Sequence, residues 1–483
     1  MGKDAVNLGL TRILILFISI ISLPLLIRIL GEDNYGLYVL IFGLVSLVSG
    51  LSNLGLGFTA MRKLPSCQLI NERAEFFYPL FWAHITIAAC IFCLVHILGY
   101  YSPLGLYLYE NNISLWPISL YLLTYPVYSN FDLVFKFSQK IGNLNTLHLL
   151  LPCTYLMGLV AMLYAFEELS INDVLIAHLV SVWVSVFLLR QKVLQLVGFK
   201  LHFYSISGFK SDIRHGLPLL FTVILEQIIS ISDRYIIAYY LALEHVGYYA
   251  CAASLTSMLL SIPRVMTVIT QPAMSKSIDE NNFEIASSDV SKTAIYWLMV
   301  AIPATIGAFI LGGQFIGIYI TPQMGEYAGP ILWVLFLGAC FFGLFMIYST
   351  VLFAGYRTDR LFQISAISAV LNVGFNIIFL YFFADILMAA IASSFAYCIM
   401  FIMIYRSAGK ILDLSFDIKE LFKITTGGAI AGVLVYLTIM GLNNEFGLGI
   451  ICLLIVEFIS IYLLVLYFLK SELRNFKINY HKI

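Results

Sequence analysis

The stretch LPLLFTVILEQIISISDRYII, Leu217 to Ile237, is apolar enough to cross a membrane, yet it holds Glu226, Gln227, Asp233 and Arg234. A charge near the bilayer centre costs at least ~2.5 kcal/mol on insertion scales, so such residues face a bundle interior or a wet pathway rather than lipid. Thr222, Glu226, Ser230 and Asp233 recur at spacings of four, four and three, which puts them on one inward-facing stripe of a helix with Gln227 and Arg234 beside it. At ~1.5 Å per residue, Glu226 falls near the midplane and Asp233 near the outer boundary. The chemistry open to such a stripe is binding of a coupling ion. The plainer alternative is structural: Asp233 and Arg234 pair locally, and a protonated Glu226 holds a neighbour by a hydrogen bond.

Two arginines suit a different ligand. Arg12 opens the first apolar run, and Arg264 sits beside Pro263 in the inner part of the eighth. Guanidinium forks match phosphate oxygens and stay charged at any depth, so this pair, opening to the cytoplasm, is suited to a diphosphate. Snorkelling to the interface is the simpler account of Arg12. Asp132 and Lys136 stand one turn apart and read as an intrahelical pair, while Glu457 reads as helix packing. His84, His96, His148 and His178 lie on separate apolar runs, and CIFC at Cys90 to Cys93 falls in mid-helix; both patterns read as packing rather than as metal ligands. The phosphate-binding G-x-x-x-x-G-K-[ST], the zinc motif H-E-x-x-H and the nucleophile elbow G-x-S-x-G are all missing, so no catalytic residue is assigned and an enzyme is not expected.

The elements that must position these residues are membrane helices. Of 483 residues, 61% are hydrophobic and 11% charged, far from the roughly 25% charged of soluble domains. A net charge of zero offers nothing for nucleic acid. Apolar runs long enough to span a ~30 Å core recur at 11 to 30, 36 to 58, 77 to 98, 114 to 135, 146 to 166, 174 to 190 and 216 to 241. They continue at 247 to 270, 294 to 318, 328 to 353, 362 to 383, 386 to 405, 422 to 441 and 447 to 469. Cations fill every second connection, from Arg62, Lys63 and Arg73 through Arg190 to Arg214 and on to Lys470, Arg474, Lys477 and Lys482. Acids such as Glu32, Glu110, Asp173, Glu244 and Glu445 fill the others. The positive-inside rule then places both termini in the cytoplasm.

LGEDNYGLYVL, from Leu30, superposes without gaps on LALEHVGYYAC, from Leu241, at an offset of 211 residues. Leu30 matches Leu241, Gly36 matches Gly247 and Tyr38 matches Tyr249, while Asp33 meets Glu244. Two six-helix halves follow, both starting from the cytoplasm and therefore related as a parallel repeat. The expected fold class is all-α: a polytopic membrane protein of about 14 transmembrane helices, with a bundle over 1–200, a second over 211–410, and two added helices and a tail over 411–483.

RILGEDNYGLY after the first helix, LGLGFTAMRKL after the second, and GLPLLF, Asp233-Arg234 and VGYYA around the seventh resemble the polysaccharide flippases, Wzx-type O-unit flippases of the MOP superfamily. That family is related to MATE exporters and lipid II flippases. The resemblance implies two pseudo-symmetric six-helix bundles around a central cavity that opens alternately to each side of the bacterial inner membrane. It implies a substrate that is an undecaprenyl-diphosphate-linked oligosaccharide destined for O-antigen or exopolysaccharide, and contacts with the polymerase of the same pathway. It also implies cavity arginines on helices 1, 2 and 8. Arg12 and Arg264 stand at two of those places, and Asn53 is what helix 2 offers at the corresponding depth. Physics gives the class a reason, since a hydroxyl-rich glycan cannot cross hydrocarbon without a polar-lined path, while its lipid tail stays among membrane lipid. No cofactor is expected; Na+ or H+ is the expected coupling ion, with Glu226 or Asp233 as its site. The competing reading is a MATE-like exporter of small organic cations, for which the acids of helix 7 would supply the binding charge.

Overall fold

The computed structural model describes residues 2–52, 54–57, 70–101, 108–166, 168–198, 206–414, 417–442 and 447–469. Asn53, the LGLGFTAMRKL motif beyond Gly57, Cys67 and the basic tail from Lys470 lie outside the described residues.

Fourteen long helices run through the described residues. They are α1 (Gly2–Ser52), α2 (Ile70–Tyr101), α3 (Leu115–Phe137), α4 (Ile141–Ala165), α5 (Ile171–Val197), α6 (Ile206–Tyr240) and α7 (Leu243–Leu259). The rest are α8 (Ser261–Asp279), α9 (Phe283–Tyr319), α10 (Pro322–Ala354), α11 (Thr358–Phe383), α12 (Ile386–Ala408), α13 (Ile418–Gly441) and α14 (Leu448–Phe468). The match in number with the expected spans is partly a coincidence of boundaries. The first two spans are joined within α1, broken only at Gly31, whose φ of 73° lies in the left-handed region that glycine enters without steric cost. The eighth span is instead split into α7 and α8 at Leu260, because Pro263 cannot donate its share of a continuous ladder.

Eleven stretches among the described residues are long and apolar enough to cross a membrane, the first of them, Gly9–Ser52, holding two of the expected spans. Helix α3 falls outside that set, because Asn130, Asp132 and Lys136 lower the mean hydropathy of an otherwise span-like helix.

Helix starts follow capping chemistry. Thr321 accepts from the Met324 amide ahead of Pro322, Asp385 from the Leu387 amide and Asp417 from the Glu420 amide. Each supplies an acceptor for an amide that the first turn leaves without an intrahelical partner.

The chain divides into two compact units, residues 1–31 with 38–227, and residues 32–37 with 228–483. In the second unit, α9 and α10 meet through Gly313, Gly317, Gly325 and Gly329: a Cβ on Gly325 would lie 2.5 Å from the Gly313 carbonyl oxygen, and one on Gly329 2.5 Å from the Gly313 Cα. Such four-residue spacing of glycines lets backbones approach closely where no hydrophobic effect drives helices together. Helices α13 and α14 close on α9 through Leu311, Val435, Leu454, Phe458 and Tyr462, and the Tyr462 hydroxyl donates to the Met299 carbonyl at 2.8 Å. They are integral to this unit.

The same unit contains residues 32–37 of the first copy of the repeated segment and the whole of the second. A Cβ on Gly36 would strike the Leu243 carbonyl oxygen, and a Cβ on Gly247 would strike the Glu32 carbonyl oxygen. Residues 32 and 243, like 36 and 247, are 211 apart. The repeat is therefore expressed as a reciprocal contact in which each copy needs the other's glycine.

Candidate functional site

Asp233, near the end of α6, is only 5% exposed. Its surroundings come from three other helices. Tyr249 of α7 donates its phenol to Asp233 Oδ2 at 2.5 Å, and the same phenol lies 3.4 Å from Ser393 Oγ of α12. Asn372 and Asn376, one turn apart on α11, bring their Nδ2 atoms to 3.3 and 3.2 Å of that Ser393 oxygen. Ser232 donates to Asn372 Oδ1 at 3.4 Å. Tyr249, Asn372, Asn376 and Ser393 are buried like the carboxyl itself.

One acceptor in this cluster is left over. Asn376 Oδ1 is buried and has no hydrogen-bond partner. A buried polar atom without a protein partner is uncommon, and it leaves Asn376 Oδ1 as an acceptor open to an ordered water or a bound cation. Asp233, by contrast, has both oxygens engaged, since Oδ1 accepts the Arg234 backbone amide at 2.9 Å. Arg234 meets its neighbour through that amide, while its Nε is buried without a hydrogen bond. One carboxylate among hydroxyl and amide oxygens is an all-oxygen donor set, the kind that suits a hard cation. It carries too few anionic ligands for a transition metal, and no group of three or more His, Cys, Asp or Glu able to hold one occurs among the described residues.

The stripe read from α6 is not uniform. Asp233 is buried, whereas Glu226 and Ser230 are exposed. The helix passes from one compact unit to the other between Gln227 and Ile228, so residues at helical spacing meet different neighbours. Arg12 is exposed on α1 within electrostatic reach of Tyr128, and Arg264 is exposed on α8, just past the buried Pro263.

The first unit has polar clusters of its own. Tyr38, the repeat partner of Tyr249, lies 2.8 Å from His178 Nε2, and the His178 ring is stacked on Tyr155 at 3.8 Å. His84 is held between Ser52 at 3.0 Å and Asn130 at 3.2 Å. Asp132 pairs with Lys136 at 2.6 Å as its spacing requires, but it also binds His148 at 2.8 Å across to α4. Glu457 accepts from Thr438 at 3.0 Å and joins α14 to α13. The described cysteines are free thiols.

Sequence reasoning had no role for Asn372, Asn376 or Ser393. Their signal was present in LNVGFNII, where two Asn one turn apart interrupt an apolar run. Tyr249 was visible only as a repeat match.

An all-helical bundle of membrane-length elements, with a buried carboxylate set among neutral oxygens, defines a multi-pass membrane protein. The family model described as lipid II flippase MurJ matches residues 135–457, more than half of the chain, and the chain belongs to that family. Among solved structures, a lipid II flippase MurJ in an inward closed conformation superposes with a TM-score of 0.78 at 17% identity, covering 97% of this chain and 99% of its own. An inward-facing multidrug resistance MATE family transporter of the MOP superfamily gives 0.68 at 11% identity, over 84% of this chain and 98% of its own. A MOP superfamily transporter from Pyrococcus furiosus gives 0.60 at 12% identity, over 85% and 96%. These likenesses concern the fold. A search of the curated proteins returned no relative. The expected membership of the MOP superfamily thus stands, through the lipid II flippase branch.

Proposed function

We propose that this protein flips an undecaprenyl-diphosphate-linked oligosaccharide from the cytoplasmic to the outer leaflet of the bacterial inner membrane, with Na+ bound at Asp233 as the coupling ion. The observation that carries the reading is the family match over residues 135–457. Two glycans share this carrier chemistry: the O-unit that the sequence motifs suggest, and the lipid II that the family is named for. A MATE-like exporter of small organic cations has less support, because the MATE likeness covers 84% of the chain while the flippase structure covers 97%.

The preference for Na+ over H+ rests on the leftover acceptor. A proton on Asp233 would leave Asn376 Oδ1 as unsatisfied as before, whereas a cation beside Ser393 would draw on both side chains. Arg12 and Arg264 are the proposed contacts for phosphate oxygens, each as an exposed guanidinium within its own unit. A coupling ion drives a conformational cycle only if the two states bind it with different affinity. Four helices converge on Asp233 and Ser393, so their arrangement is what such a difference would act on.

Deleting the gene and identifying the lipid-linked saccharide that accumulates in the cytoplasmic leaflet separates the substrates. Pile-up of O-units supports the O-antigen role, and pile-up of lipid II assigns the chain to peptidoglycan. If neither accumulates and sensitivity to toxic organic cations rises, the exporter reading replaces this one.

A further inference from the structure

Helix α11 carries a column of buried polar side chains, of which the Asp233 cluster uses only one end. Ser365, Ser368, Asn372 and Asn376 follow at spacings of three, four and four, so they share one face of the helix. None of them is more than 2% exposed. Asn372 and Asn376 turn that face to Ser393 of α12. From Asn376 the column runs roughly 16 Å toward the end of α11 that follows Arg357.

Its members at that end are unbonded. Ser365 Oγ and Ser368 Oγ are buried with no hydrogen-bond partner, as is Asn376 Oδ1 at the other end. A serine within a helix commonly bonds to the carbonyl one turn back, as Ser185 and Ser407 do. Ser365 and Ser368 make no such bond. The Tyr348 hydroxyl of α10 is likewise fully buried and unbonded. Tyr348 stands six residues before the end of α10 and Ser365 seven after the start of α11. Only Gly355 to Arg357 separate the two helices, so these hydroxyls lie at similar depth.

Leaving such oxygens without a partner is costly where lipid surrounds the bundle. Residues one turn apart have Cβ atoms about 5–6 Å apart, a gap that one water or one cation bridges between two oxygens. A cation that has shed its water also needs successive oxygens along its way, and an apolar interface excludes it. Beyond Asn376 the buried Leu380 ends the polar face within about one turn, whereas on the other side oxygens continue for about three turns before the buried Ile364 and Leu361. The column therefore leads away from the Asp233 cluster in one direction.

We propose that the face of α11 bearing Ser365, Ser368, Asn372 and Asn376 is the route by which a hard cation and its hydrating water reach the Asp233 site, entering from the Arg357 end when Leu361 and Ile364 part. The proposal rests on the reading of Asp233 as the coupling-ion site, and it adds the side from which that site opens and the residues that line the way. The plainer role for the two serines is close packing of α11 on its neighbours, which alanine serves equally well.

The test is rapid-filtration measurement of radiolabelled Na+ binding to the full chain in nanodiscs, for wild type and for S365A/S368A. Association and dissociation rates are each expected to fall about tenfold in the variant, the effect on a barrier of one lost oxygen partner. The Kd is expected to stay unchanged, because Asp233 and its partners are untouched. Rates equal to those of wild type at an unchanged Kd would overturn the route and leave the ion site standing. Weaker binding without slower entry would also overturn it and assign the serines to packing. No Na+ binding by wild type would remove the coupling-ion reading, and the route with it.

Discussion

Asp233 bonds directly to Tyr249 of α7 and through that phenol to Ser393 of α12, so its replacement has consequences at two levels. Asp233→Asn keeps the shape and removes the charge that would hold a cation. Wild-type protein should unfold at higher temperature in NaCl than in choline chloride, by the equivalent of about 2.7 kcal/mol when Na+ is at a hundred times its Kd. D233N should lose that difference while remaining inserted in the membrane; an equal Na+ effect in both proteins would remove the coupling-ion assignment. Tyr249→Phe removes the donor to Asp233 Oδ2 and should cost about 1–3 kcal/mol, because a buried acceptor loses its partner, measurable as a lowered unfolding temperature in both salts. Arg264→Ala should abolish transport in reconstituted vesicles without changing the amount of protein inserted. Asp233 and Arg264 were legible in the sequence because charge within an apolar run is rare. Asn372, Asn376 and Ser393 were not, because neutral polar residues are tolerated in membrane helices for many reasons and only their meeting beside Tyr249, the partner of Asp233, sets them apart.

Helices in this protein are held by closeness more than by hydrophobic burial against water, since lipid offers the same apolar contact. Gly325→Ala should therefore cost about 1–3 kcal/mol through overpacking, as its Cβ would press on the Gly313 carbonyl and the Gly317 Cα at 2.5 Å. Gly374→Ala is the matched control, because a Cβ there meets nothing within 4 Å. That change should be neutral or stabilising by up to about 1 kcal/mol from helix propensity alone, and thermal unfolding of the pair in detergent checks both. The helices themselves were readable as apolar runs with turn residues between them. Their joints were less so: Gly31 bends α1 without ending it, and the break at Leu260 falls inside what reads as one span. The first rests on the left-handed φ of Gly31 and the second on Pro263, local backbone features that hydropathy does not record.

Across the whole molecule, alternation of basic and acidic connections predicts a definite orientation. Single cysteines introduced at Asn281 and at Asn112 should react with an impermeant maleimide from opposite sides of the inner membrane, Asn281 only after the cytoplasmic face is opened. Reaction of both from one side would refute the alternation. The repeat also acts at this scale. Gly36→Leu and Gly247→Leu should have equal effects on unfolding temperature, because each side chain would collide with the carbonyl that the other segment presents in the equivalent place. Unequal effects would show that the reciprocal contact does not bear on stability symmetrically.

Membrane residence, the number of spans, the repeat and the presence of a charge in the seventh span were determined by the sequence alone. Residence, spans and the buried charge are one-dimensional consequences of transfer free energy along a helix, and the repeat is a match of residues at a fixed offset. The tertiary structure decided which polar groups share a site. Helical spacing grouped Asp233 with Glu226 and Ser230, but packing turned it instead toward Tyr249 and, through that phenol, Ser393, residues 16 and 160 positions away along the chain. Contacts between helices depend on rotation and depth, and a pattern of hydropathy leaves both undetermined.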